Sequence, residues 1–206
     1  IIVNNIKIYS IVPAICRLSN GGCGILISGA SLGLQKPLIL TANHCIPTAE
    51  IAKQCIAHFE TYSVILHPEI YWSYSCRCKE GGIDYSLLGI TNEDILVLSK
   101  KGILPHSIIN DVPYDNSIMI MFFRNDFGNQ LLRTSCTIKS QIENTIKYEY
   151  NEDFIKTAVG ASGSPVFSLT SKQRIVLCGL HVAHGKAIDI NAIMFHAKLH
   201  NINICC

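Results

Sequence analysis

Short apolar runs, each closed by a turn former, set what this chain can fold into. They read "IKIYSIV", "GILISG", "PLILTA", "YSVILHP", "DYSLLGI", "SIMIMFF", "LLRTSCTI", "NTIKYEY", "SPVFSL" and "RIVLCGLHV", and Gly, Pro, Asn or Asp interrupts them about every ten residues. Runs this short, rich in Ile, Val, Tyr and Phe, suit a pleated surface better than a helix. Strands spaced so evenly, without long helical patterns between them, predict an all-β sandwich or barrel. Two segments differ. "TAEIAKQCIAHF" predicts a helix with Thr48 as N-cap and Ile51, Cys55 and Ile56 on one face. Near the end, "INAIMFHAKLH" sets Ile193, Met194 and Ala197 at helical spacing, a stripe suited to core packing.

The polar connector "TNEDILVLSKKGILPHSIINDVPYDN" divides the chain near residue 100 into halves of similar strand content. The expectation is two antiparallel β-barrels, residues 1–100 and 101–206, with a short C-terminal helix. A single barrel with insertions is the alternative. With 49% hydrophobic and 16% charged residues, the chain is a packed globular one, not a disordered one. A net charge of +2, with no basic run beyond Lys100–Lys101, argues against a nucleic-acid partner. No apolar stretch approaches the ~20 residues of a membrane-spanning helix. The chain starts at Ile1 without a signal-like segment, so a processed product or an excised domain is expected, either secreted or cytosolic. Ten cysteines would suit a disulfide framework, but a chain of 206 residues can fold without staples. The Cys76–Cys78 spacing lacks the paired pattern of a structural zinc site, so free, buried thiols are preferred and no metal or cofactor is expected.

Three residues gain meaning together. In "LILTANHCI" a strand ends and delivers His44; in "GGIDYSLLGI" Asp84 stands just before a strand. Alone, each reads as an ordinary surface histidine or a turn aspartate. "GASGSP" then places Ser162 between glycines. A serine nucleophile needs a tight turn that exposes its hydroxyl and aims backbone N–H groups at a developing oxyanion. Gly160 permits unusual backbone angles, Gly163 allows a close strand approach, and Pro165 fixes the exit. Ser164, between Gly163 and Pro165, falls on the departing strand and reads as a small residue for close packing. A base must take the hydroxyl proton and an acid must orient the base, which His44 and Asp84 can supply.

Together, "LTANHC", "DYSLL" and "GASGSPVF" resemble the chymotrypsin-like serine peptidases over roughly residues 20–190. The closer likeness is to compact trypsin-like members carrying "GxSGSPV": glutamyl endopeptidases, high-temperature-requirement proteases and viral main proteases. The resemblance implies two six-stranded barrels with the site between them and an acyl-enzyme mechanism acting on protein or peptide substrates. It implies His44 as general base, Asp84 as its orienter and Ser162 as nucleophile. The turn Gly160, Ala161, Ser162 would form the oxyanion hole through the N–H groups of Gly160 and Ser162. Ala161 stands where trypsin-type zymogens carry an aspartate, so an N-terminal switch is not expected, and Ile1–Ile2 reads as an ordered first strand. Lys156 replaces the acidic pocket floor of basic-residue-specific trypsins. Thr157 and His181 match the pair that, in the resembling families, binds a Glu or Gln side chain at P1; Lys156 nearby would favour an anion. Against this stands a core-facing His181 and a turn Thr157. Cys23 and Cys45 resemble the pair whose disulfide braces the catalytic histidine in trypsins, and a bridge and two free thiols both stay open. His58 and His184 read as surface residues. The rival from another class is a catalytically silent peptide-binding relative. A Cys-rich metal-binding β protein is a weaker third.

Overall fold

The computed structural model describes residues 11–76, 82–109, 111, 113–151 and 156–200. Seven strands come from the first half: β1 (Ile15–Leu18), β2 (Gly22–Ile27), β3 (Leu38–Thr41), β4 (Ile56–His58), β5 (Ser63–Ile65), β6 (His67–Ser75) and β7 (Asp84–Gly89). They form one antiparallel sheet in the order β5-β4-β1-β2-β3-β7-β6. Six come from the second: β8 (Pro113–Phe122), β9 (Leu132–Ile142), β10 (Thr145–Tyr150), β11 (Pro165–Thr170), β12 (Ile175–Ala183) and β13 (Lys186–Asp189). These close into a barrel, β10-β13-β12-β11-β8-β9, in which β9 pairs with β10. The chain is thus mostly β, a half-barrel sheet beside a closed six-stranded barrel with a short C-terminal helix. This is the chymotrypsin-like two-barrel arrangement.

The strands at the centre are buried along their whole length. All of β2 and β3 is buried, as are Tyr85–Gly89 of β7. A strand that is apolar throughout rather than alternating needs cover on both faces. Curling of the sheet covers one face of β2, and β11 of the second half meets β2 as well. The seam between the halves therefore runs along β2 and β11, close to residues 23 and 164.

Three helices complete the described fold: α1 (Ala49–Gln54), α2 (Asn92–Lys100) and α3 (Ile190–Leu199). Thr48 caps α1 by accepting from Ile51 N–H (3.3 Å), as its sequence suggests. The helix stops early, however. Cys55 is extended (φ −95°, ψ 137°), and Ile56 begins β4, which pairs with β1 and β5. Pairing in the sheet overrode the helical pattern of residues 55–59. In the polar connector a helix, α2, appears: Thr91 accepts from Asp94 N–H (3.1 Å) and donates to the Asp94 carboxylate (2.6 Å). Helix α3 buries Ile190, Ile193, Met194 and Ala197, the expected stripe. Strands β1 and β13 and most of β6 had no counterpart in the sequence reading. Ile1–Ile2, most of "IKIYSIV", and Cys78, Cys205 and Cys206 lie outside the described residues.

Candidate active site

The register of the first sheet brings His44 and Asp84 together. Thr41 of β3 pairs with Ser86 of β7. The strands are antiparallel, so the turn after Thr41 and the start of β7 fall at the same end of the sheet. Cys45 N–H donates to Ala42 O (3.1 Å), which folds that turn and presents His44. The Asp84 carboxylate then takes both available donors: His44 backbone N–H on one oxygen (3.1 Å) and His44 Nδ1 on the other (2.6 Å). Nε2 is left to face away. The Asp84 hydrogen bond, with a smaller contribution from Cys45, pushes the His44 imidazole up from 6.5 to about 10. The carboxylate favours the imidazolium, the form that a general base adopts after taking a proton.

Ser162 sits in a turn built of glycines at positive φ. Gly160 has φ +99° and Gly163 φ +82°, where a side chain is strained. Gly163 also has no room: a Cβ there would lie 2.2 Å from Cys23 O and 2.4 Å from Thr41 Oγ1. The turn is thus pressed onto β2 and the end of β3, three residues before His44. Cys23 N–H donates to Ser162 O (2.7 Å), and the Cys45 thiol, next to His44, also reaches Ser162 O (3.6 Å). On the other side, Gly163 N–H donates to His181 O and His181 N–H to Ser164 O, both at 2.8 Å. The fold therefore assembles His44, Asp84 and Ser162 at the seam. The Ser162 hydroxyl makes no hydrogen bond to a described residue, His44 Nε2 included. Such contacts commonly tighten only when substrate is bound.

Ala161, the middle residue of the turn, has its N–H engaged by Ala158 O (3.0 Å) and its side chain fully buried. Gly160 and Ser162 N–H are without acceptors among the described residues. Ser164 is fully buried, and its hydroxyl donates to Ala161 O (2.6 Å). Cys23 and Cys45 are both free thiols, so the bridge seen in trypsins is absent here. Instead the Cys23 sulfur accepts from Phe123 N–H (3.3 Å) and its thiol donates to Gly160 O (3.1 Å).

His181 is buried on β12, its Nδ1 2.5 Å from the Tyr148 hydroxyl on β10. Burial pushes its pKa down to about 4, with the nearby His184 and His44 adding to the effect. The ring is therefore neutral at pH 7. Thr157 is buried too, its hydroxyl bonded to the Tyr150 hydroxyl. Lys156 is exposed, and its carbonyl accepts from Arg124 Nη1 (3.3 Å). His184 is exposed with its ring 4.8 Å from that of Tyr150, and His58 is half-buried. Tyr148 and Tyr150 were missed by sequence reasoning. Their spacing of two on a strand puts them on one face, a signal "KYEY" did contain. Beside the His44–Asp84 pair a cleft of about 500 Å³ opens between the halves, with Asn43, Pro47 and Cys76 on one wall and Val182, Ala183 and Lys186 on the other. Among the described residues, no group of three or more His, Cys, Asp or Glu side chains could hold a metal ion.

No family model matches the sequence. No curated protein is significantly similar to it. Solved structures do resemble it. One is Rv3671c from Mycobacterium tuberculosis H37Rv, a serine-to-alanine mutant in an inactive form, with a TM-score of 0.58 at 11% identity; the match covers 98% of this chain and 93% of that one. A likeness at this identity speaks for the chymotrypsin-like serine-peptidase fold and for no particular subtype.

Proposed function

We propose that this chain is a serine endopeptidase that cleaves peptide bonds through an acyl-enzyme on Ser162, with His44 as general base and Asp84 as its orienter. The observation that carries the reading is the bidentate hold of Asp84 on His44, at the seam where two N–H groups of the Ser162 turn are without acceptors among the described residues. In this mechanism His44 Nε2 takes the Ser162 proton as the hydroxyl attacks the scissile carbonyl. The tetrahedral oxyanion is received by Gly160 and Ser162 N–H. The imidazolium then protonates the leaving amine, and water repeats the sequence on the acyl-enzyme.

The P1 pocket reading narrows from Glu or Gln to Gln. Burial holds His181 neutral, and its Nδ1 is engaged by the Tyr148 hydroxyl; with that hydroxyl as donor, the ring proton lies on Nε2. A neutral N–H donor suits an amide oxygen, whereas a carboxylate would need a cation that the buried site disfavours. Exposed Lys156 is left to a minor role, since solvent screens it. Cleavage of a peptide library by wild type and by Ser162→Ala tests both parts. Wild type is expected to cut after Gln and to be labelled by a fluorophosphonate, and Ser162→Ala to do neither. Labelling that persists in Ser162→Ala sinks the nucleophile assignment. Peptide affinity without turnover in wild type would indicate the silent peptide-binding relative. A Lys or Arg preference would overturn the pocket while leaving the triad.

A further inference from the structure

Each carbonyl oxygen from Val159 to Ser162 is held from behind. Val159 O accepts from Asn125 N–H (3.2 Å) and Gly160 O from the Cys23 thiol (3.1 Å). Ala161 O accepts twice from Ser164, from its N–H (3.1 Å) and from its hydroxyl (2.6 Å). Ser162 O accepts from Cys23 N–H (2.7 Å) and the Cys45 thiol. In a trans peptide the C=O and the following N–H point in opposite directions. Holding Val159 O therefore turns Gly160 N–H the other way, and holding Ala161 O does the same for Ser162 N–H. The N–H groups of Ala161, Gly163 and Ser164 are used by Ala158, His181 and Ala161 carbonyls. From residue 160 to 164, only the two N–H groups that an oxyanion needs are without acceptors among the described residues.

Such a turn has an inherent weakness. Gly160 lacks a Cβ and sits at φ +99°, so the 159–160 peptide can rotate at low cost. A flipped plane would put Val159 O where the oxyanion must go. A donor behind each carbonyl opposes this rotation. Resting on the peptidase reading above, we propose that Asn125 and Ser164 are positioning residues. The Asn125 N–H and the Ser164 hydroxyl clamp the 159–160 and 161–162 peptides so that the oxyanion hole is formed before substrate arrives. Two features fit this role beyond the distances. The Ser164 hydroxyl is fully buried, where alanine would fill the space about as well, yet it makes a short, directed hydrogen bond. Asn125 also lies against Gly160, where an added Cβ would meet Asn125 Oδ1 at 2.6 Å.

Two variants remove one clamp each. Ser164→Ala deletes the hydroxyl. Asn125→Pro deletes the N–H at the first position of a 3-10 turn (Asn125–Phe127), where proline is tolerated, after an extended Arg124 (φ −123°, ψ 143°) that also suits it. The readouts are kcat and KM on a Gln-containing peptide, and affinity for a peptide aldehyde and for the cleaved N-terminal product. The aldehyde adduct carries a tetrahedral oxygen and the product does not. Each variant is expected to lose about tenfold in kcat, less than outright loss of an oxyanion donor. Aldehyde affinity should fall in parallel, while KM, product affinity and melting temperature hold. An active wild type with both variants unchanged overturns the inference alone. So does a loss shared equally by KM and product affinity, which would mean a loosened cleft. A wild type that neither cleaves nor labels overturns the peptidase reading and this inference with it. Should Ser164→Ala fail to fold, Asn125→Pro, at an exposed position, decides the matter.

Discussion

At the scale of single residues, the site depends on what each neighbour does to a proton. Asp84 receives two hydrogen bonds from His44 and in return raises its imidazole to about 10. In the proposed mechanism only the neutral imidazole can accept the Ser162 proton. The acid limb of a kcat/KM profile is therefore expected on the alkaline side of 6.5, with activity rising as His44 loses its proton. Asp84→Asn should move that limb down and cut kcat by roughly 10³–10⁴-fold, because the ring loses both its orientation and its counter-charge. A pH profile of the two proteins checks this, and an unmoved limb would separate Asp84 from the chemistry. The residues of this pair were legible in "TANHC" and "DYSLL". Which peptide N–H is already taken depends on the turn's hydrogen bonds and not on its letters, as the engagement of Ala161 N–H by Ala158 O shows. The same holds for Ser164, whose hydroxyl is aimed at a carbonyl three residues back.

At the scale of elements, the strands were the clearest signal and the short helices the weakest. An apolar run bounded by turn formers names a strand whatever its partner. A four-residue strand such as β1 or β13 exists only because a neighbour pairs with it. The α1 pattern ran on through Ile56, but β1 and β5 claimed Ile56–His58 for the sheet. In α2 the reverse occurred: a T-x-x-D capping signal and two acidic residues in the first turn were present in a stretch read as polar connector. Thr91 is the residue that makes this helix start. Thr91→Ala is expected to destabilise the protein by about 1 kcal/mol, as lost N-caps do, with catalysis unchanged. Denaturant unfolding measures it, and a shift near zero would mean that tertiary packing alone holds α2.

At the scale of the whole molecule, two neutral histidines, one buried and one half-buried, sit at the seam between the halves. His181 on β12 abuts the Ser162 turn, and burial keeps it neutral down to about 4. His106, in the connector, is hydrogen-bonded through its backbone to Leu26 and Ser28 of the first half, and its ring meets Phe167 of β11 edge-on at 5.6 Å. Burial lowers its pKa as well, and its Nε2 has no hydrogen-bond partner among the described residues. Both groups protonate more readily when unfolded, so the unfolded state binds more protons as pH falls below 6.5. Stability should decline from pH 6.5 toward pH 4, and His106→Leu with His181→Gln should flatten that slope. Melting temperature against pH reads this directly; an unchanged slope in the double variant would place the acid sensitivity elsewhere. On the alkaline side His44 acts oppositely, its contribution fading as pH rises through about 10.

The division between the two levels of information follows from the range of the interactions. The strand-rich fold class and three chemistry-bearing residue types in turns suited to them were legible in the chain, because each is a matter of local pattern: short apolar runs closed by turn formers, a histidine at a strand end, a glycine-flanked serine. Only the tertiary structure decided which partners those residues have. That His44 faces Asp84 follows from the β3–β7 register, and that Cys23 and Cys45 are thiols bracing the Ser162 turn follows from the seam along β2 and β11. The neutral, tyrosine-bound state of His181 comes from β10 and β12 flanking β13 in a closed barrel, which brings their side chains together. Hydrogen-bond direction and burial are set by groups tens of residues apart, and such pairings carry no local mark in the chain.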